Sequence, residues 1–168
     1  MPSVFELPDF DAHEDVHLFC DRATGLEAVI AIHSTHLGPS AGGARYWSYA
    51  DSGAAVVDAL RLSRGMSYKY AVPGLPMGGG KAVILKRAEG KTPELLASLG
   101  RAIESLGGRY VTAEDVGMTD ADMATIGKQT RHVAGLPVAA GAAGGSPGPS
   151  APLGVVLGVG AGPRHPLE

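Results

Sequence analysis

Two lysines and an aspartate carry the chemistry this chain has to offer. Lys69 and Lys81 stand in residues 65–85, where a helical pattern leads into Gly78-Gly79-Gly80 and a β-branched run, 82–85, leads out. Two ammonium groups brought near one another repel, and the repulsion lowers the pKa of the more desolvated one. One amine then stays charged and holds an anion, while the other loses its proton near neutral pH and serves as a base. The three glycines read as a turn without Cβ atoms, suited to a backbone that approaches a small ligand closely or adopts positive φ. Asp115, on a loop that follows a short strand, can supply an acid beside the amines.

The elements that must position these groups are legible along the chain. Residues 1–15 read as a short helix or irregular lead-in. Apolar runs at 16–20 and 26–32, joined by Asp21-Arg22-Ala23-Thr24-Gly25, predict a β-hairpin. Residues 33–43 read as a loop and 44–49 as a third strand. Asp51 and Ser52 offer cap oxygens for a helix that begins near Gly53 and carries Val56, Ala59, Leu60, Ser63 and Met66 at helical spacing. That helix delivers Lys69 near its C-terminal end. After the glycine turn and the strand 82–85, Thr92-Pro93-Glu94 is a helix start, with a hydroxyl cap, proline at the first position and an acid in the first turn. Leu95, Leu99, Ile103 and Leu106 share one face of it, and Gly107-Gly108 ends it. Residues 109–112 form a short strand, 113–118 a loop, and Thr119-Asp120-Ala121-Asp122 a capping box for a last helix to about Arg131.

Strands alternating with helices predict an α/β fold with a mixed sheet, antiparallel at the N-terminal hairpin and parallel in its second half. In such sheets ligands lie beyond the carboxyl ends of strands, where Asp115 falls. At 168 residues the chain accommodates one domain, read as 1–137, followed by a low-complexity tail, 138–168, rich in Gly, Ala and Pro.

Composition and motifs exclude several classes. The net charge is −3, and no basic run is longer than Lys86-Arg87, which argues against nucleic acid or an anionic membrane as partner. The single Cys20 rules out an internal disulfide, and neither a signal-peptide pattern nor an apolar run of about 20 residues is present. The expectation is a cytoplasmic protein. Residues 74–81 imitate a phosphate-binding loop, but Leu75 and Ala82 stand where that pattern needs glycine and a hydroxyl. Gly158-Val159-Gly160-Ala161-Gly162 imitates the start of a dinucleotide fingerprint, with Pro163 in the third glycine's place and no room for a βαβ unit. The six histidines form no metal-ligand spacing, His33 and His36 reading as solvated or capping side chains, and no Gly-x-Ser-x-Gly elbow supports a serine hydrolase.

Four blocks in order carry a family resemblance: Gly42-Gly43-Ala44-Arg45, residues 58–69, residues 78–84, and residues 108–117 with Glu114-Asp115. Together, over residues 16–137, they resemble the amino-terminal substrate-binding and dimerisation domain of the Glu/Leu/Phe/Val dehydrogenases, the leucine-type members in particular. The resemblance implies NAD-dependent oxidative deamination of a branched-chain or other apolar L-amino acid to its 2-oxo acid and ammonia, in a homo-oligomer. It implies that Lys69 binds the substrate carboxylate, with Met66 nearby and Gly42 and Gly43 lining the site. Lys81 would be the base that activates water, and Asp115 would share its proton transfer. Ala41 and Ala113 would line the side-chain pocket, with room for a group as large as that of phenylalanine. The NAD-binding domain of such enzymes has no counterpart here, so the resemblance implies a fragment. A different reading is a non-catalytic module that binds amino acids and assembles through the hairpin side of its sheet.

Overall fold

A computed structural model describes residues 3–136 of the chain; the tail assigned to 138–168 lies outside the described residues. A single 3-10 turn, Val4–Glu6, precedes strands β1 (Asp15–Asp21), β2 (Leu26–Ser34) and β3 (Ser40–Trp47). Helix α1 (Ser52–Ala71), strand β4 (Gly78–Leu85), helix α2 (Pro93–Ser105), strand β5 (Tyr110–Glu114) and helix α3 (Asp120–Gly127) follow. The five strands form one sheet in the order β1-β2-β4-β3-β5. β1 and β4 run antiparallel to β2, whereas β4 and β5 both run parallel to β3. This is the mixed α/β sheet that the alternation of patterns predicts.

Two apolar layers enclose the sheet. Val29, Ala31 and Val83 meet Ala55, Ala59 and Leu60 of α1 on one face. On the other, Ile30, Ile32, Ala44, Ile84 and Tyr110 meet Leu95, Leu99 and Ile103 of α2 and Met123 and Ile126 of α3. β2 and β4, covered on both sides, read as nearly continuous apolar runs for that reason. The helix starts are those expected: the side chains of Asp51, Thr92 and Thr119 accept from the amides of Ala54, Leu95 and Asp122.

The glycine triad does not form a turn. Gly78, Gly79 and Gly80 open β4, buried and without positive φ, and the turn lies before them, with Gly74 at φ +71°. Their bareness serves packing. A Cβ on Gly79 would collide with the Ser63 carbonyl and the Ser67 amide of α1, and one on Gly80 would sit 2.7 Å from Cδ2 of Tyr110. β3 starts at Ser40, four residues before the expected 44, because Ser40 and Ala41 pair with Gly78 and Gly79 on one side and with Tyr110 and Val111 on the other. α3 ends at Gly127, short of Arg131, where the chain turns and Thr130 bonds Glu104 of α2.

Candidate active site

Lys81 sits mid-strand in β4, its residue only 5% exposed, and its Nζ lies 2.7 Å from Oδ2 of Asp115. Asp115 directly follows β5, whose last residue, Glu114, pairs with Ala44 of β3. The contact therefore joins the middle of one strand to the end of another two places away in the sheet. Gly43 makes the approach possible: a Cβ there would fall 2.6 Å from the Asp115 Cβ and 2.7 Å from the Glu114 carbonyl oxygen. Gly42 is equally constrained, since a Cβ would run into the Gly80 carbonyl and come within 3.3 Å of Cγ of Met66. Its own carbonyl accepts a 2.6 Å hydrogen bond from the Tyr110 hydroxyl.

Burial is the largest influence on Lys81 and pushes its pKa below the ordinary lysine value of 10.5; the pairing with Asp115 works in the opposite direction, and the Arg45 charge adds to the depression. Burial alone would raise the Asp115 carboxyl. The hydrogen bond and charge of Lys81, the Val116 amide and the Arg45 charge outweigh it and hold Asp115 below the usual carboxylate range. The site is thus a desolvated amine against a carboxylate that stays ionised. Desolvation, and not the neighbouring ammonium expected from the lysine pair, is the main cause of the depression, and the cation involved is Arg45.

Lys69 stands apart from this pair. It is exposed near the end of α1 and makes no hydrogen bond or ion pair among the described residues. It issues from the same helix surface as Met66, one turn earlier, whose side chain overlies Gly42. Ala41 is buried in β3, between Gly79 and Val111 in register, and Ala113 is half-buried in β5, paired with Gly43.

Four residues to which the sequence pattern gave no role complete the charge network. Arg45 of β3 donates from Nε to Asp115 Oδ2 at 3.1 Å and from Nη1 to Asp58 Oδ2 at 3.0 Å. Asp58 of α1 also accepts from the Tyr49 hydroxyl at 2.6 Å and from Arg61 at 2.7 Å. Arg45 and Asp58 belong to the family-like blocks, and Arg61 stands three residues after Asp58 on the same helix, the one spacing here that is local. Among the described residues no group of three or more His, Cys, Asp or Glu side chains could hold a metal ion, and no helix is long and apolar enough to cross a membrane.

Residues 13–132 match the family model described as "Glu/Leu/Phe/Val dehydrogenase, dimerisation domain". The chain is 54% identical over 139 residues to a valine dehydrogenase of Streptomyces albus, covering 82% of this chain and 38% of the relative. It is 49% identical over 144 residues to a leucine dehydrogenase of Bacillus subtilis, covering 84% and 39%. Among solved structures it resembles L-tryptophan dehydrogenase from Nostoc punctiforme at a TM-score of 0.74 and 44% identity, over 88% of this chain and 41% of that one. The chain thus spans about two fifths of the length of these relatives.

Proposed function

The chain belongs to the Glu/Leu/Phe/Val dehydrogenase family, and from that premise we propose that it forms the substrate-binding part of an enzyme that oxidatively deaminates an apolar L-amino acid. The products would be the 2-oxo acid and ammonia. The observation that carries this reading is the buried Lys81 amine, 2.7 Å from an ionised Asp115, with a pKa pushed down by burial. A lowered pKa makes the amine easier to deprotonate, and its neutral form is the one that hydrolysis of a cationic iminium requires, since a second cation there would be repelled. Lys81 takes a proton from water as its oxygen bonds the substrate carbon and the C=N electron pair moves to nitrogen, while Asp115 accepts a hydrogen bond from the resulting ammonium. That ammonium then gives the proton to the nitrogen, and the C–N bond breaks to release ammonia as the hydroxyl proton passes back to Lys81, leaving the 2-oxo acid. Lys69, without a partner among the described residues, supplies the charge for the substrate carboxylate. Ala41 and Ala113, both small, leave space for the apolar side chain, and the relatives named for valine, leucine and tryptophan span that range of sizes.

NAD is the oxidant this reading calls for. The described residues do not fit a dinucleotide: the glycines that head β4 are packed against α1 and Tyr110, leaving no open backbone cradle for a pyrophosphate. No step is therefore derived through it, and residues 1–137 are assigned to substrate binding and assembly.

Lys69→Ala should weaken binding of the amino acid by about ten- to a hundredfold, the scale of a lost charge-assisted hydrogen bond, with the thermal midpoint unchanged because the side chain is exposed and has no partner among the described residues. Calorimetric titration with leucine and with its carboxamide checks this: the variant should lose its preference for the carboxylate. Equal affinity of wild type and variant for leucine would remove Lys69 from the site.

Assembly is favoured by a separate observation. β1 lies at one edge of the sheet with Leu18 72% exposed, whereas the far edge, β5, is bridged at Thr112 by Val133. An open edge carrying a large apolar side chain is a pairing surface, and the family model is that of a dimerisation domain. We assign β1 to a homo-oligomer contact. Leu18→Asp should lower the mass measured by light scattering to that of a smaller species at equal concentration; an unchanged mass would move the contact elsewhere.

A further inference from the structure

Arg45 has no task in the reaction outlined above, yet it connects two carboxylates from different layers of the fold. Its Nε meets Asp115 Oδ2, the same oxygen that Lys81 contacts, and its Nη1 meets Asp58 Oδ2 on α1. Asp58 is in turn fixed by Tyr49 and Arg61, so it has three donors, and its side chain is only 12% exposed. A guanidinium donates in two directions from one rigid plane, which a lysine ammonium on a flexible stem does not reproduce. Resting on the proposed reaction, we infer that Arg45 is a positioning residue, which seats the Asp115 carboxylate against the Lys81 amine by tying it to Asp58 on α1.

The electrostatic consequence follows from the groups that face the pair. From β3 comes Arg45; from α1, Asp58 and, through it, the half-exposed Arg61; from the segment joining β3 to α1, Tyr49; from the turn after β5, the Val116 amide. A lysine and an aspartate alone would stabilise one another's charges and hold the proton on the amine. A second cation on the same carboxylate oxygen offsets that, and the Arg45 charge lowers both Lys81 and Asp115. Arg45 thereby keeps the carboxylate ionised while making the amine easier to deprotonate.

The test compares Arg45→Gln and Arg45→Lys in the full chain with two readouts. Titration of the Lys81 amine and the Asp115 carboxyl by NMR needs no turnover; steady-state deamination of leucine with NAD, measured after the chain is joined to the cofactor-binding part of a leucine-type relative, reads the reaction. For Arg45→Gln both midpoints should move to higher pH, and kcat should fall about ten- to a hundredfold, the scale of a misplaced reacting group, with KM within about twofold. Arg45→Lys should recover the Lys81 midpoint in part, but not the full kcat, because one ammonium cannot span both carboxylates. Unmoved midpoints with unchanged kcat in either folded variant would overturn the inference. Should Arg45→Gln fail to fold, Arg45→Lys decides alone: kcat equal to wild type would overturn the inference. Shifted midpoints in a joined enzyme that shows no turnover even with wild-type Arg45 would instead contradict the proposed reaction and leave the positioning role standing.

Discussion

With the cofactor-binding part of a relative supplied, Lys81→Ala should lower kcat for amino-acid deamination by about 10²–10⁴-fold, the usual contribution of a positioned general base, and the protein should remain folded. The two halves of this expectation have separate causes. The first follows from the proposed role of Lys81, the sole amine buried beside Asp115 in the network described. The second follows from linkage. A lysine whose pKa is lowered on folding binds fewer protons in the folded state than in the unfolded one, so stability rises with pH from the folded pKa toward the ordinary value of 10.5. At neutral pH the buried Lys81 therefore costs stability, and removing it relieves that cost. Asp115 is not left alone, because Arg45 still donates to it. Steady-state kinetics beside thermal unfolding would check both halves. Near-normal kcat in the variant would refute the base assignment, and a collapse of the fold would refute the electrostatic account.

The largest expected effect on stability comes from a single methyl group. Gly79→Ala places a Cβ inside contact distance of the Ser63 carbonyl, the Ser67 amide and the Ser67 hydroxyl. Two of those atoms are helix backbone, which has nowhere to go unless α1 lifts from β4. Overpacking of this kind usually costs about 1–3 kcal/mol, and with rigid backbone as the obstacle about 3 kcal/mol or more is expected here. Gly65→Ala is the matched control. Gly65 lies within the same helix, exposed, with nothing within 4 Å of an added Cβ. There the substitution should stabilise by about 0.5–1 kcal/mol through helix propensity. Urea unfolding of the two variants reads the difference. A loss below about 1 kcal/mol at Gly79 would mean that the seam between α1 and β4 is looser than its geometry indicates.

The contrast between these glycines also shows where the sequence was readable. Asp51, Thr92 and Thr119 announced their helices because capping is local, a side chain bonding an amide three residues on. The hairpin was equally plain, its turn at 21–25 separating two strands that pair from Asp21–Leu26 to Asp15–Ile32. Gly78-Gly79-Gly80 was not plain. A glycine run has the same appearance whether it turns or lies flat under a helix, and the atoms that decide it, on Ser34, Ser63, Ser67 and Tyr110, are distant in the chain. The start of β3 was hidden for a related reason: Ser40, Ala41, Gly42 and Gly43 carry no β-branched signal, yet they form a strand lying between β4 and β5.

The site divides in the same way. Lys81 and Asp115, placed together by family resemblance, do meet. The partners that set their charges, Arg45 and Asp58, come from β3 and α1 and are joined only by the fold. Ordinary sequence spacing holds no sign of such a pairing. The cause assigned to the lowered lysine was likewise a matter of burial, which a sequence expresses only through the layers that end up covering it.

The most direct measurement is the pH titration of the Lys81 amine in the folded chain, followed by NMR of a lysine-labelled sample and assigned through the Lys81→Ala variant. The account predicts a midpoint below 10.5, the ordinary lysine value, with Asp115 still ionised throughout the titration. A midpoint at or above 10.5 would mean that the ion pair with Asp115 prevails over burial, and Lys81 would then be a charged structural residue with no proton to take.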